Sequence, residues 1–447
     1  MTSRDLRTAA PHDPPRRCAF IPPWLAELVD GPQQVERDEA LRRARAQRAA
    51  RTTAVPTAGA VAGGPAWTVH DAGSGTSLPG TPARRAGEPE TGDVAVDEAA
   101  DGITATLAMF ADVLGRDSHD DAGAPVSLTV HYGSSYNNAF WDGTQLVFGD
   151  GDGRVFERFT KPVDVLAHEF AHAVVEHTAD LTYSGQSGAL NESVADAFAS
   201  CLKQRLLGQQ AADGDWLIGE GIFTPAVRAR ALRDMAAPGT AYDDPEVGTD
   251  PQVGHMDDYV DTTADNGGVH LNSGIPNKAF QLAAVAIGGT AVEGAGRIWY
   301  AALTGADVPP DADFAAFAAA TVAAAGSHAD AVQEAWARVG VEPGRRGGER
   351  AVDPQPRGRL RVERSGGFAG RTESAEVDLD TDDPDLGDLV QQAVLSSPTH
   401  DAPPKPDMFV YTFTVDGGAP VRVPEHLLTG SQAELARRIL GSGTTEV

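Results

Sequence analysis

Cysteine is almost missing from this chain. Only Cys18 and Cys201 occur, which is too few for the disulfide frameworks that staple small secreted domains. Lysine is equally sparse, four of 36 basic residues, and the dominance of arginine and alanine hints at a GC-rich bacterial genome. Basic residues as a class are outnumbered by 64 acidic ones, leaving a net charge of −28. That balance argues against nucleic acid as a partner and suits a self-repelling surface. No apolar run reaches the length of a transmembrane helix. The opening MTSRDLRTAAPHDPPRRCAF lacks the apolar core of a secretory signal, so the expected location is cytoplasmic, or external by an unconventional route. What remains is 447 residues, enough for two or three domains.

The most informative stretch is VDVLAHEFAHAVVEHTADLTYSGQSGALNESVAD, residues 163–196. His168 and His172 stand four apart around Glu169 in H-E-x-x-H. On a helix this spacing puts both imidazoles on one face, where they can grip a single ion. A catalytic zinc site takes three protein ligands and keeps a fourth position for water. Glu192 lies twenty residues past His172. If the chain turns back, a second helix brings its carboxylate to the same metal. Asn191 and Asp196 of the same N-E-x-x-x-D string can then take the free ring N–H groups of the histidines.

These motifs resemble the active site of the thermolysin family of zinc endopeptidases. The resemblance implies His168, His172 and Glu192 as metal ligands, Glu169 as general base, and Asn191 and Asp196 as their support. It also implies that His270, oriented by Asp265, and Tyr183 stabilise the oxyanion. The fold it implies is α+β, a two-lobed zinc peptidase with a β-rich N-terminal lobe, a helical C-terminal lobe and the active site between them. The N-N-A-F-W string is shared with the family, where an edge strand binds extended peptides. Asn138 and Ala139 are therefore expected to contact the substrate backbone, and Arg233 to hold a substrate carbonyl. Phe156, Phe159, Val165, Ile218 and Leu232 match positions lining the pocket just C-terminal to the scissile bond. All five are apolar, so cleavage is expected on the N-terminal side of bulky apolar residues.

Periodicity organises the rest. DEAADGITATLAMFADVLG repeats Ile103, Leu107, Phe110 and Leu114 at helical spacing, and VSLTVHY alternates as a half-buried strand. SYNNAFWDGTQLVFGDGDG reads as a further strand, and residues 275–341 are alanine-rich and helical. Near the start, CAFIPPWLAELVD opens a short apolar helix on two prolines. ERDEALRRARAQRAARTT (36–53) is a basic run, read either as a solvated helix, an anion-binding segment or a processing region. The front end resembles the short propeptides of protealysin-like members of the family, and residues 54–66 have the small, flexible composition of a cleavable linker. The expected organisation is a propeptide at 1–60, lobes at 61–162 and 163–342, a linker at 343–358 and a separate α+β domain at 359–447.

Cys18, beside the Pro-Pro pair, is either a latency ligand for the zinc water position or an ordinary thiol. Family members that need calcium hold it with acidic residues matching Asp164, Asp215 and Glu220. Lys203 occupies a fourth such position, so a single calcium ion or none is expected rather than a double site. In the last domain, MFVYTFTV followed by Asp416-Gly417-Gly418 and VRV has a hairpin signature. Ser431 and Glu434 form a capping box opening a helix. The R-S-G-G-F-A-G string resembles emfourin, a protein inhibitor of protealysin-like enzymes. The expected partners are peptide or protein substrates, with the propeptide and this module as intramolecular inhibitors. The competing function class is a catalytically silent protease fold that binds a related protease.

Overall fold

The computed structural model describes residues 19–31, 66–344, 359–366, 371–379, 389–390, 409–415, 420–425, 428 and 430–441. Cys18, the basic run at 36–53, residues 367–370 of the glycine string and the side chain of Ser431 lie outside them. The chain divides into two compact units, residues 1–348 and 349–447.

In the first unit α1 (Pro23–Asp30) starts with Pro23 in its first turn, where a missing N–H costs nothing. A five-stranded sheet then forms from β1 (Trp67–Asp71), β2 (Thr81–Arg85), β3 (Val126–Val130), β4 (Ala139–Trp141) and β5 (Leu146–Phe148), in the order β2-β1-β3-β5-β4. Strands β1/β3 and β3/β5 are parallel, and β4/β5 are antiparallel. The apolar run at 139–148 is thus a hairpin rather than one strand. Asp142 breaks it by accepting the amides of Thr144 and Gln145 at 2.8 and 3.0 Å, with Gly143 at φ 91°. This leaves β4 on the sheet edge with one side of its backbone open to another chain. Between β2 and β3 runs α2 (Val94–Leu114), capped by Asp93, whose carboxylate accepts from Ala95 and Val96. Ile103, Leu107 and Phe110 are buried as their spacing predicts, each worth about 2–3 kcal/mol.

Two long helices carry the centre of the unit: α3 (Val163–Glu176) and α4 (Gly185–Leu207). They pack against each other, and α3 also packs on β4 and α2. Apart from Glu176, only Val163 of α3 has appreciable exposure, so the helix is surrounded on all sides. Short two-stranded ribbons follow: β6 (Leu217–Ile218) with β7 (Arg233–Asp234), and β8 (Asp243–Asp244) with β9 (Gly248–Thr249). The helical lobe is completed by α5 (Asp265–Asn272), α6 (Gly274–Ile287), α7 (Arg297–Thr304), α8 (Phe314–Ala324) and α9 (Ala329–Ala337). Among the described residues no helix is long and apolar enough to cross a membrane.

The second unit is a four-stranded antiparallel sheet of β10 (Arg359–Gly366), β11 (Arg371–Asp378), β12 (Phe409–Val415) and β13 (Val421–Pro424), ordered β11-β10-β12-β13. The helix α10 (Gly430–Gly441) packs on β11 and β10. Tyr411, Phe413 and Val415 alternate into a core with Leu360, Val362, Val423, Leu435 and Ile439, so this unit has its own apolar interior.

Candidate active site

The site sits between the lobes of the first unit, where α3 and α4 cross under the edge strand β4. One turn of α3 separates His168 from His172, and their Nε2 atoms approach to 3.0 Å. From α4, Glu192 lies 3.5 Å from His168 Nε2 and 3.7 Å from His172 Nε2. All three are buried and their ligand atoms fall within 4.8 Å of one another.

The opposite ring nitrogens decide what this cluster is for. His168 Nδ1 donates to Asp196 Oδ1 at 2.8 Å, and His172 Nδ1 to Asn191 Oδ1 at 2.8 Å. The Asn191 amide is oriented by its own donation to Leu181 O at 3.1 Å. Both Nδ1–H groups being committed, both Nε2 lone pairs point at the same small volume, beside a carboxylate. Two lone pairs at that separation repel unless a cation lies between them. Without a metal a proton takes that role. Burial opposes charge on His168, but Asp196 and Glu192 hold it up at about 9. Burial and the His168 charge push His172 down to about 4. The donor set, two neutral imidazoles and a carboxylate, is the one zinc favours.

Glu169 faces the same volume from α3. Its Oε2 accepts the Trp141 backbone N–H at 2.8 Å, while its buried Oε1 has no hydrogen-bond partner among the described residues. Burial pushes the carboxyl up to about 7. This is the state of a base poised to exchange a proton near neutral pH.

Asp196 is the hub behind the histidines. Besides His168 it accepts from Arg233 Nε and Nη2, both at 2.8 Å, and from Asn277 Nδ2 at 2.8 Å. Although burial opposes ionisation, Arg233 and His168 bring its carboxyl down to about 2. Breaking a fully buried charge network of this kind costs about 3–5 kcal/mol.

His270 enters from α5. The four residues Asp265 to Gly268 all have positive φ, 51°, 53°, 91° and 72°. A side chain at Gly267 would strike the Gly185 backbone at 2.9 Å, so that turn requires glycine. The turn folds the Asp265 carboxylate back to accept His270 N at 2.8 Å and His270 Nδ1 at 2.7 Å. Burial opposes the charge of His270, yet Asp265 and Glu192 hold its pKa above the ordinary value. Tyr183 Oη stands 3.4 Å from His270 Nε2 and donates to Glu192.

The cleft beside these groups contains residues 19–31. Phe20 N donates to Ala139 O at 3.0 Å on the open side of β4, and Ile21 N to Asn138 Oδ1 at 2.9 Å. Arg233 Nη1 reaches Phe20 O at 3.4 Å, and Asn137 Nδ2 donates to Asp30 at 2.7 Å. The Phe20 ring packs edge-on to His168 at 5.2 Å between centroids, with the Arg233 guanidinium 4.8 Å above it. A Cβ at Gly219 would lie 3.2 Å from Leu232 Cβ and 3.3 Å from the tip of Phe20. Of the expected pocket residues, Leu232 therefore flanks the same Gly219 as Phe20. Phe156, Phe159, Val165 and Ile218 are completely buried, with Phe156 stacked on Phe223 at 5.2 Å.

At the proposed calcium position Lys203 Nζ lies 2.9 Å from both Asp215 Oδ2 and Glu220 Oε2. Asp164, fully buried, accepts Gly219 N at 2.9 Å. Three contacts had no signal in the sequence: the Trp141 amide on Glu169, Asn277 on Asp196, and Asn137 on Asp30. A backbone donor has no residue code, and an asparagine, whether in a loop like Asn137 or in a helix like Asn277, resembles any other.

Residues 80–176 match the thermolysin metallopeptidase catalytic domain, and residues 179–341 its alpha-helical domain. Residues 362–440 match Emfourin. The chain is 51% identical over 279 residues to an extracellular metalloprotease of Pectobacterium carotovorum subsp. carotovorum, covering 61% of this chain and 80% of that one. It is 48% identical over 281 residues to protease PrtS of Photorhabdus sp. (strain Az29), with coverages of 61% and 76%. Among solved structures, the precursor of protealysin, a metalloproteinase from Serratia proteamaculans, superimposes with a TM-score of 0.65 at 46% identity, covering 72% of this chain and 99% of that one. This chain belongs to the thermolysin family of metallopeptidases, with an emfourin domain at its C-terminal end.

Proposed function

We propose that the chain is the precursor of a zinc endopeptidase in which His168, His172 and Glu192 hold the metal and Glu169 is the general base. The observation that carries this is the pair of Nε2 atoms 3.0 Å apart, each with its Nδ1 already engaged. A zinc ion bound there supplies Lewis acidity, polarising the substrate carbonyl and acidifying a water. Glu169 Oε1 would accept a proton from the attacking water and pass it to the nitrogen of the departing amine. Tyr183 and His270 donate to the oxyanion that develops on the carbonyl oxygen, and Asp265 keeps the His270 ring aimed and charged. Asn138, Ala139 and Arg233 bind the backbone of the peptide, and an apolar pocket including Leu232 takes the side chain that follows the cut bond. No covalent intermediate is required.

The same reading assigns residues 1–60 as the propeptide, 61–162 and 163–342 as the lobes, 343–358 as a linker and 359–447 as an inhibitor-like module. At the Asp164, Asp215, Glu220 position the ammonium of Lys203 stands in for one or both ions of the double site, so a single calcium ion or none is expected there. The Cys18 latency switch stays a separate hypothesis, tested by whether Cys18→Ser changes the rate of processing.

Glu169→Ala tests the central assignment. The variant should fold, retain zinc by metal analysis, and lose at least ~10²-fold in casein hydrolysis. Near-native hydrolysis in that variant removes Glu169 from the mechanism.

A further inference from the structure

We infer that the Ala19–Phe20 peptide bond is a cleavage site of this chain's own active site, cut within the same molecule before the propeptide is released. The inference rests on the peptidase reading above and adds to it the bond, the register and the kinetic order.

The register comes from four contacts that distinguish one peptide bond from its neighbours. The carbonyl that accepts from His270 Nε2, at 3.1 Å, belongs to Ala19. The next nitrogen, that of Phe20, donates to Ala139 O at 3.0 Å. The next carbonyl, that of Phe20, accepts from Arg233, and the next amide, that of Ile21, donates to Asn138 Oδ1. The group that stabilises a developing oxyanion therefore touches the carbonyl of Ala19 and no other backbone carbonyl of the segment among the described contacts. The side chain on the far side of that bond is Phe20, completely buried, with His168, Gly219 and the Arg233 guanidinium around its ring. It is the bulky apolar residue that such a pocket selects.

A segment that merely plugged the cleft would have no reason to satisfy these four consecutive backbone groups in the order a substrate presents them. The chain also leaves the cleft abruptly. Pro22 and Pro23 turn it into α1, whose Trp24 ring packs on His270 at 6.1 Å and whose Leu25 is buried. The C-terminal side of the bond is thus anchored through Asp30 and Asn137.

In the reaction the water oxygen adds to the Ala19 carbonyl carbon and the C–N bond breaks. One water proton travels through Glu169 to the Phe20 nitrogen, and the other leaves the new carboxyl group for the amine or the solvent. Residues 1–19 leave as a peptide ending in a carboxylate, and Phe20 becomes the new amino terminus. Residues 20–31 remain on β4 and still fill the cleft, so this cut alone does not open the enzyme. A later cut downstream, at 54–66, is needed to release them. Because the bond already lies in its own site, its loss is first order in protein.

The test uses the full chain purified without zinc and then given zinc at two protein concentrations a hundredfold apart. Intact-mass and N-terminal analysis should show Phe20 as an early terminus, with the same half-time at both concentrations. Glu169→Gln should not produce it. Phe20→Leu should keep the cut and Phe20→Asp should slow it by at least ~10²-fold, since a carboxylate there has no partner in an apolar pocket. A readout independent of turnover is hydrogen exchange in the Glu169→Gln chain. The Phe20 and Ile21 amides should be protected, and Phe20→Asp should remove that protection. Termini only beyond residue 50, with casein hydrolysed and Ala19–Phe20 intact throughout, overturn the register while leaving the peptidase reading in place. Absence of both self-cleavage and casein hydrolysis overturns both. A half-time that shortens in proportion to concentration overturns the intramolecular step.

Discussion

Replacing Lys203 by methionine keeps the aliphatic stem and removes only the ammonium, so it isolates what that charge does for the loops around α4. Lys203 is 11% exposed, and its partners Asp215 and Glu220 are 32% and 53% exposed. Ion pairs that open to water contribute only about 0.2–1 kcal/mol each. The deeper effect falls on Asp164. Its carboxyl is already pushed up to about 6 by burial, with Lys203 and the Gly219 amide acting the other way. Deprived of the ammonium it takes up a proton instead of standing as an unpaired charge, at about 1.4 kcal/mol per pKa unit of further rise. The sum is about 2 kcal/mol, or a fall in Tm of about 4 °C near neutral pH. The sign with pH follows from the raised Asp164. A carboxyl whose folded pKa lies above its unfolded value favours the folded state when protonated, and that advantage disappears as pH rises through the folded pKa. The deficit of Lys203→Met should therefore be small at pH 5 and full at pH 8. Calorimetry in a Glu169→Gln background, which prevents autolysis, reads it directly. Equal Tm values for variant and parent at pH 8, or the same deficit at both pH values, refute the argument. Lys203→Glu extends the reasoning: with a fourth carboxylate the cluster should gain a Tm increase on adding calcium, which the parent chain should not show.

Two other perturbations probe separate parts of the molecule. His131, at φ 54°, bridges Asp150 at 2.9 Å and the α2-capping Asp93 at 3.2 Å. Burial opposes its charge, yet the two carboxylates raise its pKa. That stability is present below the unfolded value near 6.5 and is lost as pH rises through the higher folded one. His131→Asn, which tolerates the same backbone, should then cost about 1 kcal/mol at pH 6 and much less at pH 9; an equal loss in denaturation midpoints at both pH values counts against the clamp. Removing residues 349–447, a unit with its own core, should raise casein hydrolysis by the processed enzyme at least ~10-fold if the module inhibits in cis at millimolar effective concentration. Unchanged hydrolysis, with no effect of the module added back, dismisses that role.

Local spacing carried most of the chemistry. His168, Glu169 and His172 depend only on the 3.6-residue helical repeat, which any chain of that sequence obeys once α3 forms. The Asp142-Gly143 turn, Pro23 at the start of α1 and the alternation of Tyr411, Phe413 and Val415 are likewise settled within a few residues. By apolar content alone the run at 139–148 reads as one strand, and the Asp142-Gly143 turn divides it into β4 and β5. Everything that joins these pieces was decided by packing across long separations. Asp196 binds Asn277 from 81 residues away, and Ala19 meets His270 across 251. Such contacts leave no periodic trace, since they depend on how α3, α4 and β4 cross and not on the order of residues within any of them. The sequence therefore determined which groups could hold a metal and move a proton. Only the tertiary structure decided which backbone amide would hold Glu169, and which bond of the chain would lie beneath His270.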